Sequence, residues 1–149
     1  AFLCDLTSIP QPDASYDSIL CNAVLEHVPD AEAVMAEFHR LLVPGGHLVV
    51  SVPFLQPYHP TPFDFSRFTR AGLTQLGERA GFAVVETFPV HSLAQTLGWL
   101  IWAHLEERRS RIGKLLCWLP IYLASRSFQT PSPNQTYAAN GFQAVMVKN

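Results

Sequence analysis

The chain has 149 residues, 48% of them hydrophobic, with a net charge of −2 and a pI near 6.3. That length and apolar content suit one domain with its own core, and the charge balance excludes the basic footprint of a nucleic-acid binder. Cys4, Cys21 and Cys117 are odd in number and widely spaced, which excludes a disulfide framework and a CxxC zinc site and fits a reducing cytoplasm.

The sequence opens on Ala1 with neither a basic nor a long apolar leader, so no secretory signal is expected. Ala1–Cys4 reads as the end of a strand, as though the chain were cut from something longer. TSIPQPDAS, residues 7 to 15, is loop by its Pro, Ser and Asp content. Tyr16 to Cys21 reads as the next strand. Asp30 then offers an N-cap for a helix over Ala31 to Val43, with Glu32 well placed in the first turn. Val34, Phe38, Leu41 and Leu42 follow the spacing of one buried helical face.

Pro44-Gly45-Gly46 is expected to stop that helix, because glycine supplies a left-handed turn and proline cannot continue the ladder. HLVVSVP follows as a near-continuous apolar strand, the type buried on both faces of a parallel sheet. Thr69 caps a further helix ending at Ala80, with Gly81 beyond it. FAVVETF and, near the end of the chain, FQAVMVK are the last two strands. The alternation predicts an α/β domain with parallel crossovers.

YDSILCNAVLEHVPDAEAVMAEFHRLLVPGGHLVVSVP resembles the fourth strand, following helix and fifth strand of class I S-adenosylmethionine-dependent methyltransferases, the type 11 group in particular. LCDLTSIPQPDASYD resembles that family's third-strand exit. The resemblance covers the chain except about 50 residues before the last strand, a gap wider than an ordinary loop. It implies a Rossmann-like sheet, incomplete, with only the third to seventh strands present. It implies S-adenosyl-L-methionine as cofactor and a small-molecule or lipid-like methyl acceptor. By matching positions, Asp5 would accept from the adenine amino group, Leu6 would meet the ring edge, and Asn22 would line the methionine end, flanked by Cys21 and Ala23. For Asp5 the alternative is a solvated turn carboxylate.

The departure from the family is large. No GxGxxG occurs, and the acidic end of a second strand that would hold the ribose is missing from the matched region. The chain by itself is therefore expected to be inactive. A non-catalytic methyltransferase-like remnant, serving as a binding or membrane-associated module, is the rival from another class. A nicotinamide dehydrogenase half is weaker, because nothing resembles a hydride-transfer site.

Glu26-His27 is the first pair that suggests chemistry. Adjacent residues on a helix diverge by about 100°, so the two do not readily converge on one metal. No third ligand stands at i+3 or i+4 apart from Asp30, which is better used as a cap; no metal is expected. The pair reads as loop bracing, with His27 as a catalytic base the alternative. QPYHPTPFDFSRFT, residues 56 to 69, is the stronger candidate for acceptor contact. His59 is its candidate base, and Tyr58, Asp64 and Arg67 its candidate binding groups; the alternative is a closed loop with Asp64 and Arg67 paired. His39, His47, His91 and His104 read as surface or boundary residues.

Residues 92 to 128 are expected to be a helical insertion within the one domain. LAQTLGWLIWAHL and IGKLLCWLPIYLA flank EERRSR, each too short to span a bilayer. Glu107 and Arg111 can pair between them, and Leu115, Leu116, Leu119 and Leu123 form a stripe broken by Pro120. The segment is a cap over the pocket, burying Trp99 and Trp102, or a monotopic surface that meets a membrane edge. The cap is preferred because nearby basic residues are few. The expected location is cytoplasmic, with peripheral membrane contact the open alternative. PSPNQTYAANG is expected to be a polar linker.

Overall fold

The computed structural model describes residues 3–127 and 139–149. A four-stranded sheet forms the centre, built from β1 (Tyr16–Asn22), β2 (Leu42–Pro53), β3 (Phe82–Val90) and β4 (Gly141–Lys148) in the order β1-β2-β4-β3. β1 and β2 run parallel, whereas β4 is antiparallel to both of its neighbours. Parallel crossovers thus hold for the first part of the chain and fail at the last strand. Leu3 and Cys4 are outside the sheet, so the expected opening strand is not formed there; Ala1 and Phe2 lie outside the described residues.

Helix α1 (Ala31–Leu41) begins where expected, with Asp30 accepting from the Ala33 amide at 2.9 Å. Its face of Val34, Met35, Phe38 and Leu41 is buried against the sheet. The helix ends two residues early, and Pro44-Gly45-Gly46 lies inside β2 instead of stopping α1. The register jumps there, from Tyr16 opposite Leu42 to Ser18 opposite His47. Gly45 takes φ +78, and a Cβ on Gly46 would come within 2.8 Å of the Val43 carbonyl. The glycines therefore serve a bulge.

Along β2, Leu48, Val50 and Val52 are buried while His47, Val49 and Ser51 are less so. The strand is fully covered on one face only, not on both as its apolar run suggested. Helix α2 (Arg70–Arg79), capped by Thr69 onto the Gly72 amide, packs Leu73 and Leu76 onto that same face. On the N-terminal side, Arg40 binds Glu37 through Nε at 2.8 Å and Nη2 at 2.7 Å, and reaches Asp13 at 2.6 Å. Glu37 also accepts from the Ile9 amide, so this cluster ties the 9–13 loop to α1. The guanidinium beside it holds the Glu37 carboxyl below the usual range.

After β3 come two helices, α3 (Leu93–Glu107) and α4 (Arg111–Ser127), so the segment from 92 onward is helical as expected. Ser92 and Gln95 form a reciprocal cap at the start of α3. The helices pack on one another closely where Gly98 faces Ile121, a Cβ there lying 2.7 Å from the Ile121 side chain. Pro120 is carried inside α4 rather than breaking it. Lys114 pairs with Glu106 and sits 5.5 Å over the Trp102 ring; it takes the place expected for an Arg111–Glu107 pair. Trp99 is 47% exposed, so a cap that buries this indole is not formed among the described residues. Most of the expected polar linker, residues 131–138, lies outside the described residues.

Candidate functional site

The loops that follow β1 and β2 emerge at the same end of the sheet, since the two strands are parallel neighbours. After β1, Ala23 takes φ 53 and its amide donates to the Ser51 carbonyl, bending the chain into a short 3-10 turn over Leu25–His27. Leu25 plugs this turn into the core, fully buried. After β2, the Pro-rich segment folds back over the turn. The Phe65 amide donates to the Glu26 carbonyl at 2.7 Å, and the Phe68 amide to the Pro53 carbonyl at 3.0 Å.

That strap brings three side chains together. Glu26 is 0% exposed, and neither of its carboxylate oxygens has a hydrogen-bond partner. The Nε2 atoms of His27 and His59 both lie 3.8 Å from Glu26 Oε1, too far for a hydrogen bond. The other nitrogen of each ring is engaged: His27 Nδ1 with the Phe63 carbonyl at 2.6 Å, His59 Nδ1 with the Pro57 carbonyl at 2.8 Å. Carbonyl oxygen only accepts, so these contacts favour the ring proton on Nδ1 and leave Nε2 facing Glu26; at His59 the Pro57 contact is shorter than the competing 3.4 Å approach of the Arg67 Nη2 donor to the same Nδ1. The sequence reading missed this grouping because it searched for ligands along one element.

Asp64 and Arg67 do pair, as the closed-loop alternative expected. Arg67 Nη2 donates to Asp64 Oδ2 at 2.6 Å, and Nη1 binds Oδ1. Asp64 also accepts from the His59 amide at 3.0 Å, fixing the residue that carries the imidazole. Arg67 holds the Asp64 carboxyl well below the carboxylate range, and the pairing raises the guanidinium in turn. The pairing leaves the Arg67 side chain 26% accessible, while the Asp64 side chain is closed off at 1%. With Tyr58 and Gln56 they line a cleft of about 290 Å³, to which neither His27 nor His59 contributes.

The residues matched to the cofactor are dispersed. Asn22 and Ala23 are exposed at the end of β1. Cys21 is in the core, its thiol pushed up to about 12 by burial and by the charge of Glu26, so its side chain faces away from any ligand at that edge. Asp5 is exposed and accepts from the Thr7 amide and hydroxyl, each at 2.8 Å, which lowers its pKa. Leu6 lines an apolar cleft of about 410 Å³ with Tyr16, Ile19 and Phe38. That lining includes none of Asp5, Cys21, Asn22 or Ala23, so it is a cleft along the edge of β1 and not an assembled cofactor pocket. An exposed carboxylate and an exposed amide fit the amine and methionine ends of S-adenosylmethionine; the 149 residues contain no glycine-rich loop to complete the fit.

Residues 1–50 match the family model described as a methyltransferase domain. A probable S-adenosylmethionine-dependent methyltransferase of Mycolicibacterium smegmatis is 37% identical over 92 residues, covering 58% of this chain and 36% of that protein. A ubiquinone biosynthesis O-methyltransferase of Marinobacter nauticus is 40% identical over 47 residues, 32% of this chain and 20% of the relative. Among solved structures, a possible histamine N-methyltransferase of Thermotoga maritima superposes with a TM-score of 0.61 at 16% identity, over 97% of this chain and 61% of that one. The fold is the Rossmann-like sheet of class I methyltransferases, and the sequence is similar to S-adenosylmethionine-dependent methyltransferases over residues 1–50 and over the 92 residues shared with the Mycolicibacterium relative. The chain spans 36% or less of the length of these two curated relatives.

Proposed function

We propose that the protein transfers the methyl group of S-adenosylmethionine to a lipid-like acceptor, this chain supplying the adenine edge and the acceptor side. The carrying observation is the sheet order β1-β2-β4-β3 with an antiparallel β4, joined to the methyltransferase-domain match over residues 1–50. The cofactor supplies an electrophilic methyl group; transfer needs an aligned acceptor more than elaborate acid-base chemistry. Asp5 and Asn22 hold opposite ends of the cofactor. Tyr58 and the Asp64–Arg67 pair orient the acceptor, and His59 or His27 takes a proton from an acceptor hydroxyl through Nε2.

The α3–α4 hairpin favours a lipid-like acceptor over a small polar one. Leu115 is 78% exposed and Trp118 55% exposed, and Ile112, Leu116, Leu119 and Leu123 are also open to solvent. Such a contiguous apolar surface marks an interaction site. No helix among the described residues is long and apolar enough to cross a membrane, so contact would be peripheral. The test is incubation of the protein with methyl-labelled S-adenosylmethionine and a membrane lipid extract. Label recovered in an organic-soluble product supports the reading. Tight cofactor binding with label confined to polar products would overturn the lipid-like acceptor, and no binding by the whole protein would overturn the methyltransferase reading.

A further inference from the structure

We propose that Glu26, His27 and His59 form a binding site for one divalent transition-metal ion of the zinc type. Each residue offers a ligand atom, and the three atoms lie within 4.8 Å of one another. Zinc bonds of about 2.0–2.1 Å in tetrahedral geometry separate ligand atoms by about 3.3 Å. The two histidine-to-glutamate distances, 3.8 Å each, need only a small contraction to reach that.

Three features distinguish the cluster from a chance meeting of polar groups. Glu26 is completely buried with both oxygens unpartnered, and burying a carboxylate in that condition is costly unless a cation compensates. Both histidines donate Nδ1–H to backbone carbonyls, the outer support that fixes a ligating imidazole and raises its basicity. The nearby guanidinium of Arg67 is already bound to Asp64, which offsets its repulsion of a cation. Two imidazoles and one carboxylate suit zinc, cobalt or iron(II) better than magnesium or calcium, which prefer all-oxygen sites.

One carboxylate and two neutral imidazoles leave a bound dication with a net charge of +1 and open coordination positions. The side chains of His27 and His59 are 20% and 37% accessible, so those positions can be reached from solvent. An acceptor oxygen bound there would be acidified and oriented and would lose its proton to solvent, because an Nε2 that ligates the ion has no lone pair left to act as the base; this role rests on the proposed methyl transfer, whereas metal binding does not.

The experiment is a cobalt(II) titration of the whole protein, stripped with chelator, in the absence of cofactor and acceptor. One equivalent should bind with visible d–d absorption and be displaced by zinc. His27→Gln and His59→Gln should each weaken binding at least about tenfold while circular dichroism stays unchanged. On the unsubstituted protein, zinc should shift the ring-nitrogen resonances of His27 and His59 and leave the other histidines alone, which tests the site without any variant. Failure to bind cobalt, affinity in both variants unchanged from the unsubstituted protein, or shifts confined to other histidines would overturn the site and leave a metal-free imidazole–carboxylate contact. Because no methyl donor is present, these outcomes are independent of whether the protein transfers methyl groups.

Discussion

His27 and His59 come from different loops, yet their rings meet edge to face with centroids 5.3 Å apart, over the buried carboxylate of Glu26. One loop ends β1 and the other ends β2, so the meeting depends on how those strands pair and how the second loop is strapped down.

The strap is held by the Asp64–Arg67 pair, and its loss should be visible in stability and in the site. Asp64→Asn removes a charge-assisted pair to Arg67 and weakens the bond to the His59 amide. A cost of about 2 kcal/mol in denaturant unfolding is expected, the scale of hydrogen bonds to charged groups. The pH dependence follows from the sign of the shift. The folded pKa of Asp64 lies below its ordinary value of 3.8, so the pair's stabilisation is present in full above that value. It is lost as pH falls through the lower folded value. Melting temperatures should therefore differ between the parent and Asp64→Asn at neutral pH and converge in strong acid. Parallel curves down to the acid limit would contradict this.

The 3-10 turn that presents Glu26 is anchored by a single apolar side chain. Leu25 is fully buried, so Leu25→Ala should cost about 2–5 kcal/mol through lost burial and a residual cavity. It should also loosen the turn that carries Glu26 and His27, and lower cobalt affinity more than an equally destabilising change on α2 such as Leu73→Ala. Equal effects on metal affinity would show that the turn is held by the strap rather than by its core plug.

At the cofactor edge, Asp5→Ala in the whole protein should weaken S-adenosylmethionine binding several-fold, with Asp5→Asn less affected because an amide oxygen still accepts. Cys21→Ala should leave affinity unchanged, since the Cys21 side chain is buried in the core. Calorimetry checks both. Unchanged affinity in Asp5→Ala would return that carboxylate to its local role as acceptor for Thr7.

The legible parts of the fold were those written in local patterns. The Asp30 and Thr69 caps and the apolar face of α1 are short-range signals; the caps and Val34, Phe38 and Leu41 fell where the spacing put them, whereas Leu42, expected on the same helical face, opens β2. The antiparallel direction of β4 has no local signature, because a strand reads the same in either direction and only its partners decide. Pro44-Gly45-Gly46 was misread for a related reason: the same residues end a helix or make room for a bulge, and the pairing of Tyr16 with Leu42 selects the bulge. At the site, the Asp64–Arg67 alternative was visible at i, i+3. The approach of His59 to Glu26 was not, because a contact between separate loops is set by the Phe65–Glu26 and Phe68–Pro53 backbone bonds.

The α3–α4 hairpin gives the most direct test of what the acceptor looks like. Its apolar side chains are Leu115, Leu116, Trp118, Leu119 and Leu123 on α4 and Leu97, Trp99, Leu100 and Ile101 on α3, all open to solvent. Trp118 stacks on Tyr122 at 5.5 Å, and such amphipathic rings settle at a headgroup boundary. Arg108 and Arg109 in the turn and Arg111 at the start of α4 are exposed, outnumbering the exposed Glu106 and Glu107 at the end of α3, and each basic residue near an anionic surface is worth about 1 kcal/mol. Both attractions belong to the same hairpin, so binding should need acidic lipid and fall with salt, since the charge term is screened beyond about 10 Å at 0.1 M. Vesicles containing phosphatidylserine should blue-shift the tryptophan emission, while neutral vesicles produce little change. Replacing Leu115 and Leu119 with glutamate should abolish co-sedimentation and leave the α/β core folded, because neither side chain is part of that core. Binding that persists in the double variant would place the membrane contact elsewhere. Absence of any shift with acidic vesicles would instead remove the lipid surface and, with it, the case for a lipid-like acceptor.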